Sequence, residues 1–258
     1  MWDTFIVTPL TNLLLWIYYT VGHNANAFGL AIILFTILIR LATHPLTRQQ
    51  IKSAQAMQEL QKSKRWQEIQ KKYKNDRERL AQEQMKLYQE LGVNPFGSCL
   101  PTLIQFPIIL GLYQAIIRAL AATPLELLRL TRSIYPSLDV ASIIPLNSRF
   151  LWMDLGRPES VQVLGVGVPV LAIIVALTTY IQSKLTMPAT QPDDQSAQMG
   201  KMMSLYMPLF LFYLAITFPS GLTVYFITSN VVGILQYAAM GRVNWGNLLP
   251  ALGKRSEK

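Results

Sequence analysis

The chain has 258 residues, 51% hydrophobic and 14% charged, with 23 Lys and Arg against 14 Asp and Glu for a formal charge of +9. Soluble domains carry about 25% charged residues, so the composition points to lipid, and the clustering of the cations excludes a uniformly basic nucleic-acid binder. A single cysteine, Cys99, excludes an intramolecular disulfide framework and a multi-cysteine zinc site, and two histidines leave little material for metal catalysis.

Residues 1–27 contain an apolar stretch from Phe5 to Tyr19 that is short for a span, holds Pro9, and carries Thr4, Thr8, Thr11 and Asn12 on helical spacing. The pattern predicts an amphipathic helix lying in the interface, with Trp16, Tyr18 and Tyr19 suited to that depth. The alternatives are an extra span or a retained signal peptide, although Asp3 stands where a signal peptide carries basic residues.

A membrane-crossing helix needs ~20 mostly apolar residues. Five segments meet this, at 28–47, 96–118, 163–183, 202–218 and 222–241. Pro101, Pro107, Pro169 and Pro208 fall inside them and predict kinks, because neighbouring membrane helices can re-satisfy the freed backbone groups. Between the first two spans, residues 48–95 hold eleven Lys and Arg against six acids, and the tail at 242–258 adds Arg242, Lys254, Arg255 and Lys258. Both regions should be cytoplasmic, with the link at 184–201, which puts the loop at 119–162 outside.

From Arg48 to Leu91 there is no proline or glycine. Weak apolar stripes through Ile51, Ala54, Gln58 and Leu60, and through Leu80, Gln84, Leu87 and Leu91, predict two helices flanking Lys74-Asn75-Asp76. Such a cytoplasmic hairpin has a thin seam, is marginal alone, and offers a cationic surface to headgroups, ribosomal RNA or emerging chains; the alternative is a solvated linker. Gly92 to Gly97 reads as a turn, and residues 219–221 leave only a tight outer turn between the last two spans.

Arg40 is the most informative residue. It lies twelve residues beyond Phe28, ~18 Å into the membrane, at a depth where an arginine must face protein, water or a partner. Thr36, Thr43, His44 and Thr47 share its face. None of the five segments contains Asp or Glu, so water or an incoming substrate is expected to solvate the guanidinium. Gln105, Thr178, Thr179, Gln182, Ser229, Asn230 and Gln236 are candidates for lining a hydrated cavity, with interhelical bonding as the alternative for them and snorkelling as the alternative for Arg40. No nucleophile with a base, carboxylate pair, metal set or phosphate loop is present, so no enzyme activity, metal or cofactor is expected. No internal repeat of the transporter kind is found.

Thr36-Ile-Leu-Ile-Arg40 with His44-Pro45-Leu46, Gly92-Val-Asn-Pro95, Ile104-Gln-Phe-Pro107, Phe218-Pro-Ser-Gly221-Leu222, and Tyr225-Phe226 with Ser229-Asn230 together resemble the YidC family of membrane protein insertases, whose relatives serve mitochondria and chloroplasts. The resemblance covers essentially the whole chain. It implies an all-α membrane protein whose five transmembrane helices enclose a hydrophilic groove, open to cytoplasm and inner-leaflet lipid and closed outside. It implies a groove role for Arg40, Thr36 and Gln182, and a slide for departing client helices at Phe106, Pro107, Tyr225 and Phe226. The implied partners are client membrane proteins, lipid, the translating ribosome and the Sec translocon, with no small-molecule substrate and no nucleotide. The implied location is a bacterial plasma membrane, a thylakoid being the alternative. Lacking the large outer domain and additional first span of the Gram-negative pattern, the chain resembles the compact five-span form, and its short tail departs from strong tail-driven ribosome binding. The competing classes are an anion channel or transporter using the same arginine, and a non-translocating assembly factor.

Overall fold

The computed structural model describes residues 1–22, 24–73, 76–92, 100–120, 124–136, 138, 146–163, 165–186, 195–241 and 243. Cys99, most of the turn at 92–97 and nearly all of the tail lie outside them. A π-helical turn, Asp3–Val7, leads into α1 (Thr8–Val21), followed by α2 (Ala27–Ala42), α3 (His44–Lys62), α4 (Lys64–Lys72), α5 (Arg77–Glu90), α6 (Leu100–Leu120) and α7 (Pro124–Ser133). Two antiparallel β-hairpins come next, β1 (Arg149–Phe150) with β2 (Met153–Asp154) and β3 (Val161–Val163) with β4 (Val166–Val168). The chain then forms α8 (Val170–Thr186), α9 (Gln195–Thr217) and α10 (Ser220–Ala239).

The chain divides into two compact units, one made of Met1–Ala42, Pro107–Met187 and Met199–Lys258, the other of Thr43–Phe106 and Pro188–Gln198. In the first, α10 packs against both α2 and α8, and α1 packs along α2. Leu14, Leu15, Tyr18, Phe28, Phe35, Leu112, Ile116, Leu155, Val175 and Tyr225 fill the core. Tyr18 and Phe28 meet edge-on at 5.9 Å. Gly29 is obligatory for space: a methyl group there would fall 2.1 Å from the Phe150 ring.

The N-terminal segment turns the Thr11 and Asn12 end of its polar stripe into the protein. Thr11 Oγ1 donates to Val7 O at 2.8 Å, and the Asn12 amide donates to Thr8 O and Ser133 O while its Oδ1 accepts from Tyr135 N. Thr11 and Asn12, two of the polar residues that suggested a water-facing side, therefore bond to backbone, while Thr4, Phe5, Trp16 and Tyr19 are exposed. At 19 residues, Asp3–Val21 is long and apolar enough to cross a membrane, as is Ser220–Ala239. Two broken helix pairs, built on α2 and α6 with the helix that follows each, bring the candidates to four.

Several sequence boundaries shift for identifiable reasons. The first expected span stops at Ala42 rather than 47, because Pro45 has no N–H to continue the ladder and α3 starts afresh at His44. The third begins at Val170 rather than 163, since the alternating Val161, Val163, Val166 and Val168 around Gly165 form a hairpin. The segment between α6 and α8 holds α7 and both β-hairpins.

The second unit contains three helices where two were expected. α3 breaks from α4 at Ser63, whose Oγ accepts from Trp66 N, and Asp76 caps α5 by accepting from Arg79 N at 3.1 Å. Leu60, Trp66 and Leu87 make its small core, with Ile69 and Tyr88 against it.

Candidate functional site at Arg40

α2 places Thr36 and Arg40 one turn apart. Thr36 is fully buried and its hydroxyl is spent on its own helix, donating to Ile32 O at 2.6 Å. Arg40 instead reaches α10, where Nε donates to Ser229 Oγ at 2.9 Å and Nη2 donates to the same oxygen. Gln236, two turns beyond Ser229, donates from Nε2 to Arg40 O at 2.9 Å, closing one of the orphan carbonyls at the end of α2. Its Oε1 is buried with no hydrogen-bond partner among the described residues.

Gly233, between Ser229 and Gln236 on the same face of α10, was missed in the sequence. A methyl group there would lie 2.5 Å from Gln182 Nε2 of α8 and 3.8 Å from Arg40 Nη1. The glycine thus opens the space in which α8 and α2 bring an amide and a guanidinium together over α10. The signal was the i, i+4, i+7 spacing of Ser229, Gly233 and Gln236. No Asp or Glu occurs in α2, α6, α8, α9 or α10, and within this cluster the guanidinium donates to the neutral hydroxyl of Ser229.

Not every expected residue joins this cluster. Asn230 donates to Thr179 Oγ1 at 2.8 Å and to Thr178 Oγ1 at 3.2 Å, a bond between α10 and α8 of the structural kind. Tyr225 and Phe226 are 2% and 7% exposed, their rings 5.6 Å apart, so both belong to the core in this conformation. Phe106, by contrast, is 62% exposed, and Pro107 beside it is half-buried. Phe106 and His44 fall in the other unit, and the Gln105 side chain lies outside those described.

At the start of α10, the segment around Asp154–Arg157 is sewn to the bundle. Ser220 Oγ donates to Asp154 O and Arg157 O, Ser220 N donates to Arg157 O, and Gly221 N donates to Leu155 O at 3.0 Å. A methyl group on Gly221 would sit 3.2 Å from that Leu155 carbonyl and 3.3 Å from Ile32 and Ile116. Glu159 ties the same loop to α8, accepting from Trp152 Nε1 and from Leu171 N at 3.0 Å.

The family model of the 60Kd inner membrane protein matches residues 17–245. The chain belongs to this family, that of the YidC insertases. It is 34% identical to the membrane protein insertase YidC of Oceanobacillus iheyensis, over 92% of this chain and 82% of that one. Against the membrane protein insertase MisCA of Bacillus subtilis the identity is also 34%, over 91% and 77% of the two chains. A crystal structure of an active YidC insertase with its first transmembrane domain resolved is similar with a TM-score of 0.55 and 27% identity. That likeness covers 91% of this chain and 45% of the solved one, so the chain spans less than half the length of that YidC. With bacterial relatives and an inner-membrane family, this YidC-family chain is a multi-pass protein of a bacterial plasma membrane.

Proposed function

We propose that the protein inserts client membrane proteins through a polar site centred on Arg40. The carrying observation is an arginine in an apolar helix that donates to a serine hydroxyl and whose neighbour is an amide, with no carboxylate in α2, α6, α8, α9 or α10. Such a site attracts acidic residues in a client's polar tail and keeps that tail hydrated part-way through the membrane. The client's apolar helix is meanwhile drawn into lipid by the hydrophobic effect, so the energy comes from client and bilayer rather than from a nucleotide.

In this reading α2, α6, α8, α9 and α10 are the five spans, α1 lies at the outer interface, and the helices of the second unit are cytoplasmic. Arg40, Gln182, Ser229 and Gln236 face the client's polar tail, with Thr36 supporting the helix beneath them. Exposed Phe106, with Pro107, is the first apolar contact for a leaving helix; Tyr225 and Phe226 contribute only when core packing loosens. The sewn outer loop closes the far side, so tails enter from the cytoplasm. The basic second unit recruits ribosome or translocon. Reconstitution into liposomes with a short two-segment client tests the reading: insertion without nucleotide is expected, and anion flux without insertion would replace the insertase by a channel.

A further inference from the structure

We propose that α7 is a lipid-docking helix, seated in the headgroup layer of the outer leaflet and binding lipid phosphate. This rests on the reading of α6 as a span. Its axis turns by 114° from that of α6, so a crossing α6 carries α7 out along the membrane surface. Leu130, with Ile134 just past the helix end, is buried in the core, while Leu127 on the same side is 37% exposed. The opposite face presents Leu125, Leu128, Arg129 and Arg132 at i, i+3, i+4 and i+7, with the two leucines 58% and 49% exposed.

The composition of that face selects the occupant. Two leucines on a ten-residue helix fall far short of the ~800 Å² per partner of a stable protein interface, yet they are sufficient to enter a headgroup layer beside an existing span. Arg129 and Arg132 flank them with planar forks that match phosphate oxygens, while their apolar stems run along the same surface. The helix is also fixed in place: Asn12 accepts from Tyr135 N and donates to Ser133 O, holding the C-terminal end of α7 to α1.

The test uses the full chain carrying Cys99→Ser, in vesicles of phosphatidylethanolamine and phosphatidylglycerol, with an environment-sensitive dye on a cysteine replacing Leu128 or, separately, Leu110 of α6. The Leu128 dye is expected to be quenched by headgroup-depth nitroxide lipid about threefold more than by iodide, with the Leu110 dye quenched by mid-chain nitroxide. A Leu110 dye quenched at mid-chain beside a Leu128 dye open to iodide overturns the proposal and leaves the span standing. A Leu110 dye untouched by lipid quenchers overturns the span reading and the proposal with it. Energy transfer between copies at Leu128, insensitive to lipid quenchers, assigns the face to a second copy and overturns it too. With Arg129→Gln and Arg132→Gln together, the response to phosphatidylglycerol content should fall; an unchanged response overturns the phosphate contact.

Discussion

Arg40 holds a charge that neither its own helix nor its apolar neighbours neutralise, so its variants separate charge from geometry. Arg40→Ala should lower insertion of clients with acidic tails about tenfold, equivalent to ~1.4 kcal/mol, and spare a matched neutral-tail client. Arg40→Lys should keep part of the activity, because a point charge survives while the fork that grips Ser229 Oγ is lost. Equal losses for acidic and neutral tails, measured at equal protein levels, would remove attraction as the role. Gly233 is graded by size: Ala meets only the flexible end of Gln182 and should cost under ~1 kcal/mol, whereas Leu must displace both Gln182 and Arg40 and should cost ~1–3 kcal/mol in detergent unfolding. Asn12→Ala removes its bonds to Ser133 O and Tyr135 N in a part-buried place, which predicts a loss of ~0.5–1.5 kcal/mol by the same measurement. The importance of Arg40 was legible in the sequence because a charge in an apolar run is conspicuous. The burial of Tyr225 and Phe226 was not, since it depends on helices far away in the chain that no local pattern names.

Among the elements, the small helical unit after Thr43 has a core of only Leu60, Trp66 and Leu87 among the described residues. Trp66 dominates its core, so Trp66→Ala should destabilise that unit by ~3–5 kcal/mol, more than three short helices can spare. Limited proteolysis should then cut between 61 and 83 while the main thermal transition of the bundle stays put; a matching fall of that transition would show the two to be one cooperative body. Alkali should act on the same unit. Burial raises the Tyr88 phenol above its usual range, so the stability that this neutral ring contributes is complete below about pH 10 and is lost as the pH climbs toward the raised value. Phenolate absorbance that appears no later in the folded protein than in the denatured chain would refute this. The sequence showed helix-forming material here but not the Ser63 break, because a serine reads as a cap only once the preceding helix is known to end. The outer hairpins were hidden for a similar reason: Val161 to Val168 is apolar enough to pass as the start of a span, and only the alternation around Gly165 and the stop at Pro169 distinguish it.

Over the whole molecule, membrane orientation is the property that composition addressed most directly and coordinates least. Single cysteines on a Cys99→Ser background should be labelled from inside at 48–92 and from outside at 146–160, and labelling of residue 70 from outside would invert the topology. A cysteine replacing Asp3 decides the N-terminal helix: outside labelling fits a helix lying on the membrane, inside labelling a sixth crossing. The chain order of the bundle has its own consequence. α10, packed between α2 and α8 and supplying Ser229, Gly233 and Gln236, is the last of the described helices to be synthesised. The carbonyls of Leu155 and Arg157 wait for Gly221 and Ser220, whereas Asp154 O already accepts from Arg157 N. During its own birth the protein is therefore an open assembly with wet outer carbonyls and an arginine without its serine, and a nascent chain stalled before residue 220 should present to chaperones and proteases the very surfaces that the finished molecule conceals.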